Sequence, residues 1–294
     1  MTIRIRPLQR AFVGDVTGVD LRRPLSPDEV AAIHQGMDRY AVLVFHDQAL
    51  SDEEQLAFSR SLGPLEPAVG GHIARPEERR LGVEFADVSN LDRQSRVLQR
   101  DDRHRMFNLG NRLWHSDSSY RVVPARYSIL SGRRVPATGG DTELADMRAA
   151  YDALNTATQA EIEDLVCEHS LLHSRGLLGF TEFTAEERVM FRPVRQRLVR
   201  THPVTVRRSL FLSAHAGAIV GWPVPEARAF LRDLTEHATQ RQFVYAHRWR
   251  NHDVLMWDNR QTMHRVRPFA DTQEARDMRR TTLAGDGPTA SQAE

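Results

Sequence analysis

Three side chains of this sequence have the chemistry to hold one metal ion. His115 and Asp117 stand two positions apart within residues 114–119. If the backbone there is extended, side chains two apart point to the same face, so an imidazole and a carboxylate could bind one ion. His264 is the candidate third ligand. Two histidines and one carboxylate suit Fe(II) and leave positions open for substrate and oxygen.

The same three residues fit other classes of protein. A zinc hydrolase also uses two histidines and a carboxylate with an open position, although it needs a general base beside the metal. A non-catalytic ligand-binding jelly roll would keep the strands without needing all three ligands. A His-x-Asp pair can also be a surface hydrogen bond or a buried structural histidine, so the rest of the sequence has to decide.

Composition limits the classes of protein to consider. The chain has 294 residues, of which 40% are hydrophobic, enough to build a core. A net charge of +1 gives no reason to expect nucleic acid or membrane as a partner. All 40 basic residues are arginine. Without lysine there is no Schiff-base chemistry with pyridoxal phosphate and no Walker-type phosphate loop.

Cysteine use and hydropathy bear on the compartment. The single cysteine, Cys167, excludes an internal disulfide and any multi-cysteine zinc or iron–sulfur site. Residues 1–6 alternate like a strand and lack the apolar region of a signal peptide. No window approaches the roughly 18 apolar residues of a membrane span. We therefore expect a reducing, cytoplasmic environment.

Short strands and a few helices must position the three ligands. Capping boxes at Ser26 and Ser51 predict helices that end near Tyr40 and at Gly63. Apolar periodicity and turn residues predict further helices at 146–154, 158–165 and 224–239. Strands are expected at 2–21, 41–45, 126–134, after 142, and at 166–172, 198–202, 209–213, 243–249, 254–258 and 277–284.

Many short strands separated by turn residues indicate a mainly β fold, a sandwich or jelly roll with helices packed outside. Residues 1–286 are interpreted as one domain and residues 287–294 as a disordered tail. Residues 65–110 are polar, Arg-rich and poorly periodic, with one plausible strand at 84–88. A loop of this length is usually functional, and we expect it to form a lid over the site.

Four motifs occur in an order that resembles the Fe(II)/2-oxoglutarate-dependent taurine/2,4-dichlorophenoxyacetate dioxygenase (TauD/TfdA) family, closest to its aryloxyalkanoate branch. The resemblance runs from the first strands to about residue 286 and implies a double-stranded β-helix, or jelly roll. The motifs are Trp114-His115-x-Asp117-Ser118-Ser119, Gly139-Gly140-Asp141-Thr142-x-x-x-Asp146-Met147-Arg148, Trp257-Asp258-Asn259-Arg260…His264 and Arg276-Asp277-Met278-Arg279-Arg280-Thr281-Thr282.

The resemblance implies roles for residues around the proposed iron. His115, Asp117 and His264 would bind Fe(II), with 2-oxoglutarate and O₂ as co-substrates. Arg276 matches the arginine for the distal carboxylate of 2-oxoglutarate, and Thr142 matches its hydroxyl partner. Primary-substrate binding falls to two further side chains. They are Arg280, which would face the same way as Arg276 on a strand, and His215.

The implied reaction consumes 2-oxoglutarate and O₂, releases succinate and CO₂, and hydroxylates the carbon next to the carboxylate of a small acid. An aryloxyacetate would then fall apart to a phenol and glyoxylate. The lid departs from the pattern, because close relatives carry lysines there and this chain has His72 and Arg96 instead. Another small carboxylate or a taurine-like sulfonate stays open as substrate. We expect a small anionic substrate and a homo-oligomer.

Overall fold

The computed structural model describes residues 3–9, 11–68 and 79–292. Within that part the strands are β1 (Arg4–Gln9), β2 (Val13–Thr17), β3 (Val42–Phe45), β4 (Ala86–Asp87), β5 (Tyr127–Arg134), β6 (Thr142–Asp146), β7 (Val166–His169), β8 (Val194–Arg197), β9 (Val199–Thr201), β10 (Arg208–Leu210), β11 (Ala216–Ile219), β12 (Val244–His247), β13 (Val254–Asp258), β14 (Thr262–Val266) and β15 (Asp277–Thr282). The helices are α1 (Pro27–Tyr40), α2 (Asp52–Leu62), α3 (Arg103–Asn108), α4 (Met147–Asp152), α5 (Thr156–Ile162), α6 (Leu171–Gly176), α7 (Ala185–Met190) and α8 (Val224–Ala238). The fold is mainly β with flanking helices, as the sequence predicts.

The larger sheet of the described chain has the order β1-β2-β3-β13-β5-β15-β4. Within it β2 and β3 run parallel, and the other neighbours run antiparallel. Smaller sheets have the orders β12-β6-β14, β11-β7-β8 and β10-β9. A separate antiparallel bridge pairs His115 with His264 of β14. This bridge brings the 114–119 motif to the β12-β6-β14 sheet.

Side chains that alternate along the larger sheet build two apolar layers. Leu43 and Phe45 of β3 pack against helices α1 and α2 on one face. Val42 and Val44 point to the other face, where they share a layer with Leu144 of β6. Successive side chains on a strand point to opposite faces, so one strand serves both layers. The β12-β6-β14 sheet therefore covers the face of the larger sheet to which Val42 and Val44 point.

The two predicted capping boxes are both formed. Ser26 accepts a hydrogen bond from the Glu29 backbone N–H, and Ser51 accepts one from that of Glu54. Each glutamate bonds back to the N–H of its cap residue, so the first turn of each helix loses two unsatisfied donors. Among the described helices, none has the length and apolar character that crossing a membrane requires.

Several elements were not expected from the sequence. Helices α3, α6 and α7 have six residues each, too few turns for a 3.6-residue period to appear. Strand β14 was also missed, although it carries His264. Its inward positions hold polar residues of the site, so the apolar alternation that would indicate a strand is absent.

The expectation of a disordered tail is wrong for residues 287–292. Thr289 bonds to Gln196 and to the backbone N–H of Arg197 on β8. The Gln292 amide accepts from the Arg195 N–H and donates to the Arg195 carbonyl oxygen. A Gly/Pro/Ser-rich composition does not reveal hydrogen bonds to a distant strand. Residues 293–294 lie outside the described part.

The described part of the 65–110 segment is attached to the larger sheet. The strand expected at 84–88 is present as the two residues of β4, which pair with β15 at the edge of the sheet. Arg80 donates hydrogen bonds to Asp87 and Asp277. The Asn90 amide donates to the carbonyl oxygens of Asp271 and Glu274. These contacts fix residues 79–90 beside the loop that leads into β15.

Candidate functional site

The structure brings His115, Asp117 and His264 together. All three are buried, and their ligand atoms lie within 4.8 Å of one another. The two histidines exchange backbone hydrogen bonds across their bridge, at 3.0 and 2.8 Å, and their ring centroids are 4.2 Å apart. Residues that face each other across antiparallel strands have neighbouring side chains. Strand pairing therefore places the two imidazoles side by side.

Asp117 reaches the same point from a turn rather than from an extended strand. It begins a turn in which Ser118 has a φ of 56°, so the extended backbone that would place both side chains on one face does not continue through the motif. The Asp117 N–H donates to Asn259 Oδ1, and its Oδ2 accepts from the Ser128 hydroxyl at 2.7 Å. These two bonds orient the carboxylate towards the Nε2 atoms of both histidines, at 3.8 and 3.6 Å.

The two histidines have the protonation state that metal ligands need. His115 Nδ1 lies 2.7 Å from the Leu113 carbonyl oxygen. A carbonyl can only accept, so Nδ1 carries the proton and the lone pair of Nε2 is free. Burial lowers the pKa of His115 and of His264. Both rings are therefore neutral at neutral pH, as metal binding requires.

Asp117 supplies the negative charge of the triad. Burial opposes its ionisation, but the positive charge of the nearby Arg280 guanidinium, helped by the hydrogen bond from Ser128, favours it, and the pKa of Asp117 lies below its usual value. Arg280 Nη1 is 2.6 Å from Asp117 Oδ1. Two neutral nitrogens and one anionic oxygen that converge on one position form a donor set that fits Fe(II).

Arg276 is a buried cation without a carboxylate partner among the described residues. Its Nη1 and Nη2 donate to the carbonyl oxygens of Val88 and Gly140, and its Nε has no partner in the described chain. Burial lowers the pKa of Arg276 to about 10, so it stays charged at neutral pH. It lines a cavity of about 50 Å³ together with Asn90 and Phe269. A buried guanidinium in this position favours an anion.

Thr142 lies two residues after Gly140, at the start of β6, and is buried. The indole N–H of Trp249 donates to its hydroxyl oxygen at 2.9 Å. Because an indole nitrogen can only donate, the hydroxyl keeps its own proton for another acceptor. Arg276, which donates to Gly140, and Thr142, two residues further along the chain, therefore offer a cation and a hydroxyl donor, the two groups that the resemblance assigns to one carboxylate.

The two residues expected to bind the primary substrate lie beside the triad. Arg280 pairs with Asp117, as described above. His215 is buried, and its ring centroid is 6.0 Å from that of His115 and 4.9 Å from that of Tyr120. Burial lowers its pKa well below the usual value. The opposite face of β15 carries Arg279, which pairs with Asp52 and Asp277 and not with the site.

The structure does not bring the two lid residues to the site. Arg96 lies in a turn, where its guanidinium pairs with Asp92 at 2.8 Å, and its side chain is 74% exposed. The expected role in substrate binding therefore finds no support for Arg96, because a carboxylate of its own turn holds it at the surface. His72 lies outside the described residues.

Some residues around the triad were missed in the sequence. Ser128 holds the Asp117 carboxylate, and its polarity within the apolar run of β5 was a usable signal. Tyr120 and Arg175 also lie near the triad, as part of the electrostatic surroundings of Arg280. Neither has a spacing or a neighbour in the sequence that would have indicated the site.

Almost the whole chain is similar to known proteins. The model of the family described as "Taurine catabolism dioxygenase TauD, TfdA family" matches residues 4–282. The alpha-ketoglutarate-dependent 2,4-dichlorophenoxyacetate dioxygenase of Cupriavidus pinatubonensis (strain JMP 134 / LMG 1197) is 47% identical over 97% of this chain and 99% of its own length. The (S)-phenoxypropionate/alpha-ketoglutarate-dioxygenase of Delftia acidovorans is 36% identical over 97% and 96%. The crystal structure of AAD-2 in complex with Mn(II) and N-oxalylglycine shares 60% identity, with a TM-score of 0.95 over 99% of this chain and 100% of that one.

Proposed function

The chain belongs to the TauD/TfdA family of alpha-ketoglutarate-dependent dioxygenases, close to its aryloxyalkanoate branch, and we propose that it hydroxylates a small aryloxyalkanoate acid with Fe(II), 2-oxoglutarate and O₂. The observation that carries the proposal is the arrangement of two anion- and metal-binding groups. His264 of the neutral-His, neutral-His, Asp triad lies on β14, which pairs with β6, and the turn before β6 accepts a hydrogen bond from Arg276, a buried guanidinium without a carboxylate partner in the described chain.

Each residue has a defined task in this proposal. His115, Asp117 and His264 would hold the Fe(II), and Arg276 and Thr142 would hold the distal carboxylate of 2-oxoglutarate. When bound, Fe(II) and 2-oxoglutarate activate O₂ so that one oxygen atom enters a substrate C–H bond and the other enters succinate, with loss of CO₂.

The remaining residues of the site position the substrate. Arg280 would orient its acid group, so that the carbon next to that group is the one presented for oxidation. Trp257 is fully buried, with its ring centroid 4.5 Å from that of His264, and excludes water from that side of the triad. Hydroxylation of an aryloxyacetate at this carbon gives a hemiacetal, which separates into a phenol and glyoxylate.

The choice of an aryloxyalkanoate rests on the relatives. Proteins named for 2,4-dichlorophenoxyacetate and for (S)-phenoxypropionate align with almost the whole chain. Arg280 and Arg175 provide positive charge near the triad, which suits a small organic anion. In keeping with the family, we also propose that residues 1–286 form one double-stranded β-helix domain. The apolar layer shared by the larger sheet and β6 supports that architecture.

A substrate screen tests the function. Purified protein with Fe(II), 2-oxoglutarate and air is offered aryloxyacetates, aryloxypropionates and taurine, and succinate and phenol are measured. We expect an aryloxyalkanoate to stimulate succinate release and to yield phenol. Stimulation by taurine alone would show that the substrate is a sulfonate and not an aryloxyalkanoate. Release of phenol without consumption of 2-oxoglutarate would contradict the proposed dioxygenase activity.

A further inference from the structure

Arg175 is a buried arginine held between two segments beside the site. It belongs to the last turn of α6, and its guanidinium lies over the ring of Phe107 in α3, 4.3 Å from the centroid. A Cβ atom added to Gly110 would come within 2.3 Å of the guanidinium carbon. In this conformation the guanidinium occupies space that glycine at position 110 leaves open, and the Phe107 ring also packs against it.

In the described chain, no carboxylate pairs with Arg175. Its Nη1 donates to Ser174 Oγ at 3.2 Å, and its Nε has no partner within the described residues. Burial lowers the pKa of Arg175 to about 10, and the group is charged at neutral pH. Because a buried charge without a counter-ion is destabilising, an anion that enters beside it would be bound favourably.

Ser174 connects Arg175 to the triad. Its hydroxyl oxygen lies 2.8 Å from Nδ1 of His215, whose ring is 6.0 Å from that of His115. Burial is the main reason for the low pKa of both histidines, and the positive charge of Arg175 lowers each pKa further. The guanidinium thus lies one hydroxyl away from the histidine that was expected to hold the substrate carboxylate.

The hydrogen bonds of Ser174 determine which proton His215 carries. The hydroxyl donates its one proton to the Leu171 carbonyl oxygen at 3.1 Å. His215 Nδ1 must then donate to Ser174 Oγ, and Nε2 of the neutral ring is left with a lone pair. A lone pair cannot donate to a carboxylate. His215 therefore needs a cationic neighbour if an acid group is to bind on this side.

The two arginines near the triad differ in what they already neutralise. Arg280 Nη1 lies 2.6 Å from Asp117, a metal ligand, whereas Arg175 has only the Ser174 hydroxyl. We propose that Arg175 supplies a second cation, beside Arg280, for the anionic group of a small-acid substrate. This rests on the proposed function, in which the anionic group is a carboxylate. Arg175 would make the site bind a singly charged acid more tightly than the neutral amide or ester of the same acid.

Equilibrium binding separates this role from a structural one. Protein loaded with Fe(II) and 2-oxoglutarate without O₂ is titrated with phenoxyacetate and, separately, with neutral phenoxyacetamide. Arg175→Met keeps an unbranched side chain that reaches about as far as Nε, and it removes the charge and the hydrogen bond to Ser174. We expect the Kd of phenoxyacetate to rise about 10- to 150-fold, as for loss of a charge-assisted hydrogen bond. The Kd values of phenoxyacetamide and of 2-oxoglutarate should stay at the wild-type values.

Arg200→Met is the matched control. Arg200 also lies over a phenylalanine ring, with its guanidinium 4.7 Å from the centroid of Phe211, and burial likewise lowers its pKa to about 10. It belongs to β9 and contacts no residue of the triad in the described chain. The control should bind phenoxyacetate like the wild type, so that loss of any buried arginine cannot explain the result.

The outcomes distinguish this inference from the proposed function. Unchanged phenoxyacetate binding in Arg175→Met, or an equal loss of phenoxyacetamide, overturns the role of Arg175. A wild type that binds no small acid overturns the proposed function and this inference with it. If Arg175→Met does not bind 2-oxoglutarate and is therefore misfolded, Arg175→Lys decides. Its shorter ammonium should weaken the acid and spare the amide, and equal effects on both would overturn the proposal.

Discussion

Three guanidiniums around the site illustrate how the same side chain serves different purposes. Arg280 contacts a carboxylate of the proposed metal triad, the Arg276 guanidinium donates to two backbone carbonyl oxygens, and the Arg175 guanidinium donates to one hydroxyl. Because carbonyl and hydroxyl oxygens carry only partial charge, they leave most of a buried cation uncompensated. Arg276 and Arg175, which have no carboxylate partner in the described chain, are therefore each assigned to a different incoming anion, whereas Arg280 would share its charge between Asp117 and the acid group that it orients.

Replacement of Arg276 by methionine tests the first of these assignments. We expect the Kd of 2-oxoglutarate, measured by calorimetry with Fe(II) and without O₂, to rise about 10- to 150-fold because a charge-assisted contact is lost. Arg279→Met is the control, since Arg279 lies on the opposite face and pairs with Asp52. Equal 2-oxoglutarate affinity in the Arg276 variant and the wild type would show that the oxoacid binds elsewhere.

At the scale of elements, the proposed oxoacid end of the site depends on a turn before β6. Gly140 has a φ of 70°, accepts from Arg276 through its carbonyl oxygen, and is two residues from Thr142. A Cβ atom there would lie 2.9 Å from Pro136 Cγ and 3.5 Å from Arg276 Nε. Backbone conformation and space both require glycine, so the turn fixes the guanidinium relative to the hydroxyl.

A pair of glycine variants separates these two requirements. Gly140→Ala and Gly179→Ala should each lose about 1–2 kcal/mol of unfolding free energy in urea, because both positions have positive φ. Only Gly140→Ala should weaken 2-oxoglutarate binding, since a Cβ at position 179 has nothing within 4 Å. If the two variants bind 2-oxoglutarate equally well, the turn does not position Arg276.

At the scale of the whole molecule, a buried ion pair joins the end of β13 to the region before β14. Arg260 donates to both carboxylate oxygens of Asp258, at 2.9 and 2.7 Å. Burial opposes the charge of Asp258, but Arg260 and His202 outweigh it, and its pKa lies far below the usual value. A lowered carboxylate pKa contributes stability above the unfolded-state pKa of about 3.9, and that contribution is lost as the pH falls.

Asp258→Asn tests this contribution. We expect it to lower the unfolding free energy at neutral pH by about 3–5 kcal/mol, because Arg260 keeps a buried charge without its main partner. Between pH 7 and 3 the stability of the variant should fall less steeply than that of the wild type, since one depressed carboxylate is gone. Asp233→Asn on the exposed face of α8 is the control. Parallel pH profiles for Asp258→Asn and the wild type would contradict the assignment.

Elements with strong local signals were predictable from the sequence. The capping boxes at Ser26 and Ser51 and the apolar run of β3 are determined by neighbouring residues, and all three elements formed where expected. The bridge between His115 and His264 joins distant parts of the chain, and no local pattern indicates it. The order of motifs supplied the triad as a set, whereas its geometry depends on strand pairing.

The structure differs from the expectations where the partner of a side chain was not foreseen. Arg96 was expected near the substrate, but Asp92 of the same turn holds it at the surface. Residues 287–292 were expected to be disordered, but Thr289 and Gln292 bond to β8. Arg175 has no sequence signal, because its importance comes from the glycine and the phenylalanine that enclose it. The partners of Thr289, Gln292 and Arg175 are distant in the sequence, which alone does not identify them, whereas the partner of Arg96 lies four residues before it.

The most direct test of the central claim is the fate of isotopically labelled dioxygen. Wild-type protein with Fe(II), 2-oxoglutarate and phenoxyacetate is incubated under the labelled gas, and succinate and phenol are analysed by mass spectrometry. We expect equal molar amounts of phenol and succinate, with one labelled oxygen atom in the succinate, and neither product from His264→Ala. Phenol formed without O₂, or succinate without the label, would contradict a dioxygenase whose iron is bound by these three ligands.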